Sequence, residues 1–293
     1  MVTLLALSAA LAYGVADFLG GTVTRRSTAI RALTWCVPIG LAVVLGAALL
    51  TGGDPRPLPM TWGFVAGVGG GAGLITFYRA LARGPMSVVA PVSALAAAVL
   101  PVAVGIARGE RLDASVLLGV LLCLVAIGLV SMEADDGAGA AATRARGWRR
   151  VLDSGPVMAG VSGTCFGVFF VLLKAAGDGS GLWPIVGARL GNLVIVAVAL
   201  LFLAVRGGDR GPRVSGRTLI GLALLSGSLD AGANVLYFLA VHDGLLSLAA
   251  VLTSLYPAIT VLLARVAYSE RLRAVQRVGL AVAVAGVALV TVG

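Results

Sequence analysis

Two stretches of the chain repeat one another and decide the fold. Residues 84–112 read GPMSVVAPVSALAAAVLPVAVGIARGERL, and residues 244–272 read GLLSLAAVLTSLYPAITVLLARVAYSERL. Aligned without a gap, they match at Gly84/Gly244, Ser87/Ser247, Leu95/Leu255 and Glu110-Arg111-Leu112/Glu270-Arg271-Leu272. Each stretch is an apolar run long enough to cross a bilayer, followed by a charged turn. An internal repeat constrains the architecture before any other detail does, and this one indicates two related halves.

The composition is that of a membrane protein. Of the 293 residues, 59% are hydrophobic and 12% are charged, and the mean hydropathy is +1.03, whereas a soluble domain is about 25% charged. A spanning helix needs about 20 mainly apolar residues. We therefore predict ten spans, at residues 2–20, 30–51, 62–83, 85–107, 113–131, 154–176, 181–206, 217–241, 243–267 and 272–292. The first is predicted to be a retained span, because no basic segment precedes its apolar run as it would in a signal peptide.

The number of spans in each half sets the relation between the halves. Because five is odd, two homologous halves joined end to end cross the membrane in opposite senses. The sequence thus predicts an all-α integral membrane protein with ten transmembrane helices in two inverted five-helix repeats, a plan known from secondary transporters. We place the first repeat at residues 1–131, a linker at 132–153 and the second repeat at 154–293.

The net charge of +9 is explained by the turns between the spans. Most arginines lie in turns on one side of the predicted membrane, and the positive-inside rule would then place both termini outside. No basic run belongs to a soluble fold that could present it to DNA or RNA, so we expect no nucleic-acid partner.

The cysteines do not indicate a disulfide or a metal site. Cys36, Cys123 and Cys165 all lie inside predicted spans, in an odd number and with no CxxC pair, so we predict neither kind of site. No motif in the chain points to a cofactor.

Polar side chains inside the first and seventh spans are candidate functional residues. Tyr13 and Asp17 lie about one turn apart, as do Arg189 and Asn192. Ionisable residues at membrane depth are costly and usually serve function. Asp17 is expected to face a cavity; the alternatives are a place near the membrane edge or a pairing with a basic residue for structure alone. Arg189 either serves a substrate site or pairs with Asp17 or Asp230 for structure alone.

The eighth and ninth spans each carry a polar stripe. The spacing i, i+4, i+8, i+11 places four side chains on one face of the eighth span: Ser226, Asp230, Asn234 and Tyr237. This stripe favours a helix that lines a wet cavity, with interhelical hydrogen bonding as the alternative. The ninth span offers a second wall through Tyr256, which shares a face with Thr253 and Thr260.

Glycines dominate the third span. Gly63, Gly67 and Gly71 recur every four residues, a spacing that permits close approach of helices. A phosphate-binding glycine loop would need a preceding strand, which the sequence does not predict.

Several of these features resemble one family. The ten spans, Arg31 and Arg189 near the start of the second span of each half, the turn Gly-Glu-Arg-Leu at 109–112 and the stretch FYRALARGPMSVVAPVSAL at 77–95 resemble EamA-type members of the drug/metabolite transporter superfamily. The resemblance implies a polytopic exporter or exchanger of small metabolites, amino acids or drugs. It implies a central cavity lined by spans 1–4 and 6–9, with spans 5 and 10 peripheral. It also implies cytoplasmic termini, against the charge bias, so the orientation stays open.

We therefore expect a secondary active transporter of the plasma (inner) membrane that works by alternating access on a small-molecule substrate. Its candidate substrate or proton site comprises Tyr13, Asp17, Arg189, Asn192, Ser226, Asp230, Asn234, Tyr237 and Tyr256. A proton-coupled multidrug antiporter is the second hypothesis, since Asp17 resembles the first-span carboxylate of the small four-span multidrug members. We also consider a membrane-embedded enzyme, although the chain has no HExxH or GxSxG motif, and a non-transporting membrane protein. The oligomeric state is left open, with a homodimer as one arrangement.

Overall fold

A computed structural model of the chain describes residues 1–84, 86–109, 113–131, 155–177, 179–206, 211–268 and 274–292, and within these residues every regular element is an α-helix. The predicted linker at 132–153 lies outside the described residues. So do Glu110 and Glu270, the acidic residues of the two repeated turns.

The helices follow the predicted spans closely. They are α1 Val2–Arg26, α2 Ala29–Thr51, α3 Pro57–Arg83, α4 Met86–Ala107, α5 Ala114–Ser131, α6 Gly155–Ala175, α7 Trp183–Val205, α8 Arg217–Asp243, α9 Leu246–Thr253, α10 Tyr256–Tyr268 and α11 Ala274–Val292. Seven stretches of the described chain are apolar and long enough to cross a membrane: Val2–Arg26, Ala29–Thr51, Pro57–Arg83, Val157–Ala175, Trp183–Val205, Arg217–Asp243 and Leu246–Ala267.

The predicted ninth span differs from a plain helix because it is broken into α9 and α10. Pro257 has no N–H to donate to the carbonyl of Thr253, and its ring disfavours a helical residue before it. The N–H of Ser254 still donates to the carbonyl of Ala250, four residues earlier, at 2.9 Å. The N–H of Leu255 instead donates to the carbonyl of Leu252, only three residues earlier, at 3.3 Å. The chain then restarts as α10, with the proline in the first turn, where no N–H is needed.

Some helices of the two halves pair in parallel, and one such pair joins α3 to α7. An ideal Cβ built on Gly63 would lie 1.9 Å from the carbonyl oxygen of Pro184, and one on Gly67 would lie 1.9 Å from that of Ala188. Further along both helices, Gly71 lies against Asn192. Residue numbers therefore increase in the same direction along α3 and α7, so the two helices are parallel.

The pair formed by α2 and α8 is the counterpart of α3 and α7. Gly227 lies against the backbone of Cys36 and Gly40 lies near Ala231, again in rising register. Gly227 on α8 thus occupies the place of Gly67 on α3. Since Cys36 then matches Ala188, the residue that corresponds to Arg189 is Val37. Arg31, which the sequence places near the start of the equivalent span, is therefore not the structural counterpart of Arg189.

A second set of parallel pairs joins α1 to α9 and α10, and α6 to α4. Gly14 lies against the carbonyl of Tyr256 and the Cβ of Ile259. Gly167 makes the same contact with the carbonyl of Ala97 and the Cβ of Leu100. Gly14 and Gly167 therefore correspond. The contact of α3 with α7 is matched by that of α8 with α2, and the contact of α1 with α9 and α10 is matched by that of α6 with α4. In each match, a helix of the first half takes the place that its equivalent in the second half has in the other pair. The last helices of the two halves, α5 and α11, pack against one another.

The matched helices α2 and α7 run in opposite directions. Near one end of the pair, the indole Nε1 of Trp183 donates to the carbonyl of Gly53, at 2.9 Å. Further on, the guanidinium of Arg189 lies 3.3 Å from the Cβ position of Gly40. Residue numbers rise along α7 as they fall along α2, so the two equivalent helices are antiparallel.

We predict that Gly67→Ala destabilises the protein and that Gly69→Ala, in the same helix, does not. Both changes gain helix propensity equally, but only the methyl group at position 67 would collide with a carbonyl, while the nearest atom to a Cβ at position 69 is 3.9 Å away. Overpacking of this kind costs about 1–3 kcal/mol. Thermal unfolding of the two purified variants in one detergent measures the difference. Equal melting temperatures would contradict the close packing of α3 on α7.

Candidate functional site

A cavity lies among helices of both halves. Its lining comes from α1, α3, α4, α6, α7, α8 and α10, through Tyr13, Asp17, Gly70, Leu74, Ala97, Phe166, Phe169, Phe170, Asn192, Asp230, Asn234 and Tyr256. The volume is about 50 Å³, far below the roughly 300–1,000 Å³ of small-molecule sites. In this conformation the cavity has room for water but not for a metabolite, so substrate entry requires the helices to move apart.

The residues predicted from the sequence separate into two groups. Six of them line the cavity: Tyr13, Asp17, Asn192, Asp230, Asn234 and Tyr256. The other three, Arg189, Ser226 and Tyr237, are buried beside it and are not part of its lining.

Arg189 forms an ion pair with Asp230. Its Nη1 donates to Oδ2 of the carboxylate at 2.5 Å, and the two side chains are 2% and 21% exposed. Gly40 on α2 leaves room for the guanidinium, since a Cβ there would stand 3.3 Å from Nη1. An arginine cannot lose its charge, and a buried charge is tolerated only when it is paired. In the structure Arg189 is thus paired, and its partner is Asp230 and not Asp17.

Asp17 stands in a different environment. Its half-buried side chain lines the cavity, and within the described part of the chain no hydrogen bond or ion pair reaches its carboxylate. The positive charge of Arg189 is balanced by Asp230, so the formal charge of Asp17 is left unbalanced at the cavity wall. Such a carboxylate is available to a proton or to a cationic ligand.

The polar stripe of α8 is divided between packing and the cavity. Ser226 donates to the carbonyl of Ala16 at 2.8 Å and lies 3.2 Å from the hydroxyl of Tyr78, so it fastens α8 to α1 and α3. Tyr237 is fully buried, with its ring 4.3 Å from that of Phe170. The middle of the stripe, Asp230 and Asn234, reaches the cavity, where Asn234 donates to the backbone carbonyl of Asp230 at 2.7 Å.

The polar face of the broken span is divided in the same way. Thr253 donates to the carbonyl of Ala6 at 3.4 Å and Thr260 to that of Gly14 at 3.1 Å, so both threonines hold α1. Tyr256, at the start of α10, lines the cavity with its ring 6.1 Å from that of Tyr13. The helix break therefore sets an aromatic side chain at the cavity wall.

The sequence did not identify the aromatic wall that α6 contributes. Phe166, Phe169 and Phe170 line the cavity, but apolar residues in an apolar span carry no signal of their own. One signal was available in the pair Phe166-Gly167, which resembles Tyr13-Gly14 and corresponds to it through the contacts of the two glycines.

Most of the cavity lining consists of equivalent positions in the two halves. The correspondences established by Gly14 and Gly167, and by Gly67 and Gly227, produce five pairs among the lining residues: Tyr13/Phe166, Asp17/Phe170, Gly70/Asp230, Leu74/Asn234 and Ala97/Tyr256. The last pair differs by one residue from the ungapped sequence alignment, which sets Ala97 against Pro257. The cavity therefore lies between the two halves, on the pseudo-symmetry axis that relates their equivalent positions. In all five pairs the chemistry differs, so a symmetric scaffold carries an asymmetric site.

Comparison with known proteins identifies relatives at the level of family and fold. The model of the EamA-like transporter family matches residues 1–132 and again 153–292. A protein known from a crystal structure superposes with a TM-score of 0.69 at 22% sequence identity, over 99% of this chain and 96% of the other, which indicates a shared fold. No curated protein sequence matches the chain.

We predict that Asp230→Asn destabilises the protein and that Arg189→Gln in the same chain restores part of the loss. The single change leaves the guanidinium buried without its counter-charge, and removing one member of a buried pair costs about 3–5 kcal/mol. The free energy of unfolding, measured by denaturant titration in micelles for wild type, both single variants and the double variant, forms a double-mutant cycle. Strictly additive effects would show that the two charges do not stabilise one another.

Proposed function

Because the chain belongs to the EamA-like transporter family of the drug/metabolite transporter superfamily, we propose that it is a secondary active transporter that exports or exchanges a small molecule by alternating access. The observation that carries this proposal is the cavity between the halves, whose wall holds the unpaired carboxylate of Asp17. A multi-pass protein of this family has the bilayer as its solvent, and we propose the plasma membrane as its location.

The proposed architecture is ten transmembrane helices in two inverted repeats, 1–131 and 154–293, joined by the linker 132–153. The antiparallel course of the matched helices α2 and α7 supports it, as does the exchange of roles between the paired helices. The two separate matches to the family model support the division into halves.

In alternating access, the two halves would move against one another at the contacts between their paired helices. The cavity of about 50 Å³ must widen to admit a substrate, and a rocking motion of one half against the other widens it toward one side at a time. Because equivalent positions of the two halves line the cavity, the same site can be presented to either side of the membrane.

Asp17 would couple transport to an ion gradient. A proton and a cationic ligand cannot both neutralise one carboxylate, so binding of one favours release of the other. Arg189, which is buried beside the cavity, pairs with Asp230 of the same wall, and this pair is already neutral as a unit. It would hold Asn234 and the cavity face of α8 in place, while Asp17 changes its partner during the cycle.

A proton-coupled multidrug antiporter is the second candidate, and the aromatic wall favours it. Tyr13, Phe166, Phe170 and Tyr256 supply apolar faces that accept ligands of varied shape, with few polar groups to impose one geometry. The range of substrates separates the two candidates: a metabolite transporter prefers one compound and its near relatives, whereas a multidrug antiporter accepts unrelated amphipathic compounds.

We predict that Asp17→Asn folds and inserts normally but loses transport. The variant keeps the size of the side chain and removes its charge and its titration, and because no described residue depends on that carboxylate for an ion pair, stability should hold. Metabolite profiling of cells with and without the protein identifies an exported compound, which is then followed in proteoliposomes across pH. A charged hydrogen bond of about 1.5–3 kcal/mol corresponds to a loss of roughly tenfold or more.

Asp54→Asn is the matched control for this experiment, because Asp54 is an exposed acid in the turn between α2 and α3. We expect it to transport like wild type, and Asp17→Glu to retain part of the activity. Wild-type rates and an unchanged pH profile in Asp17→Asn would remove Asp17 from the mechanism.

A further inference from the structure

The charges at the cavity limit the kind of substrate that it can hold. Among the lining residues, all of which are described, none is a lysine, arginine or histidine, whereas two are carboxylates. The nearby guanidinium of Arg189 is 2% exposed, and its Nη1 is bound to Asp230. Its Nη2 has no hydrogen-bond partner among the described residues, but it is buried and lies outside the cavity lining. The cavity lining therefore offers an anionic substrate no available counter-charge. Moving such a substrate from water into the cavity would bury an unpaired charge, which has a high free-energy cost. A cation would find the carboxylate of Asp17.

The aromatic side chains of the lining favour the same kind of ligand. The ring of Tyr13 lies 6.1 Å from that of Tyr256 and 6.5 Å from that of Phe170, with tilted or edge-on geometry. These three rings and Asp17 all line the one cavity. Aromatic faces attract cations through the ring quadrupole, most strongly where water is excluded, and they also accommodate an apolar body.

The hydrogen-bonding groups of the wall indicate which cation fits. Asp17 carries acceptor oxygens only, when ionised, and Oδ1 of the nine-tenths buried Asn192 has no partner among the described residues. The amide nitrogen of Asn234 already donates to the backbone carbonyl of Asp230. The hydroxyl of Tyr13 also has no partner among the described residues, and it can donate or accept. The cavity wall thus offers acceptors at Asp17, Asn192 and Tyr13, which suit a ligand that brings N–H donors.

We propose that the substrate is a protonated amine with an apolar or aromatic body, whose ammonium group binds Asp17 between the faces of Tyr13, Phe170 and Tyr256. This inference rests on the proposed function, because it names the class of molecule that the transport site takes. The ammonium N–H groups donate to the Asp17 carboxylate, and the body of the ligand fills the space against the aromatic wall once the halves separate.

A set of probes that share one phenylethyl body tests the proposal on the intact protein. The probes are phenethylamine (a cation with N–H donors), its N,N,N-trimethyl derivative (a cation without them), 2-phenylethanol (neutral), 3-phenylpropionate (an anion) and phenylalanine (a zwitterion). Competition against radiolabelled phenethylamine on the purified full chain measures equilibrium binding and does not require transport.

We expect phenethylamine to bind at least tenfold more tightly than 2-phenylethanol, with the trimethyl derivative between them and the anion weakest. In direct titration calorimetry, Asp17→Asn should remove the difference between the amine and the alcohol while leaving the affinity for the alcohol unchanged, and Asp54→Asn should leave both affinities unchanged. If Asp17→Asn fails to fold, the ranking of the probe affinities on the wild-type protein still tests the proposal.

Two results would overturn the proposal: equal binding of the amine and the alcohol by wild type, or tighter binding of the anion or the zwitterion than of the amine. Transport is scored separately, as counterflow of phenethylamine in proteoliposomes. Selective binding of the amine without counterflow of any probe supports the ligand class and counts against the proposed function. Counterflow of the anion or the zwitterion in preference to the amine supports a transporter and overturns the ligand class.

Discussion

Close contact between helix backbones at glycine is the constraint on which the rest of the structure depends. In a bilayer there is no hydrophobic force between helices, so association rests on packing at short distance. Gly63 and Gly67 place α3 directly on the backbone of α7, and Gly187 and Gly191 return the contact from α7. Because a side chain on any of these glycines would meet a carbonyl, the two helices fit in one register, and that register carries Asn192 to the cavity wall.

The same scaffold occurs twice, and the chemistry comes from the differences between its two copies. Gly70 on α3 corresponds to Asp230 on α8, and Phe170 on α6 to Asp17 on α1. If both halves carried acids at these places, like charges would crowd a small cavity and repel. Instead, the position equivalent to Asp230 holds a glycine and the position equivalent to Asp17 holds a phenylalanine. This keeps the pseudo-symmetric packing and confines the unbalanced charge to Asp17.

The cost of charge at membrane depth explains how the polar residues divide. Arg189 keeps its charge under all conditions, so it is buried against Asp230 and stays out of the cavity lining. The hydroxyl groups of Ser226 and Thr260 find backbone carbonyls on α1 and serve as fasteners. Asp17 has no such partner among the described residues, which makes it the group whose partner can come from outside the protein.

The sequence by itself determined the membrane class and the family, and it predicted the helices, apart from the break in the ninth span, and two related halves. Apolar length and repeat register are properties of the chain read in order. Most of the polar residues at the cavity were also identified there, since a polar side chain in an apolar span is conspicuous. Only the tertiary structure decided that Arg189 pairs with Asp230, that Ser226 fastens helices and that phenylalanines of α6 complete the wall. Helical spacing assigns a residue to a face, but which neighbour meets that face depends on packing between the halves, and apolar lining residues carry no signal in an apolar span.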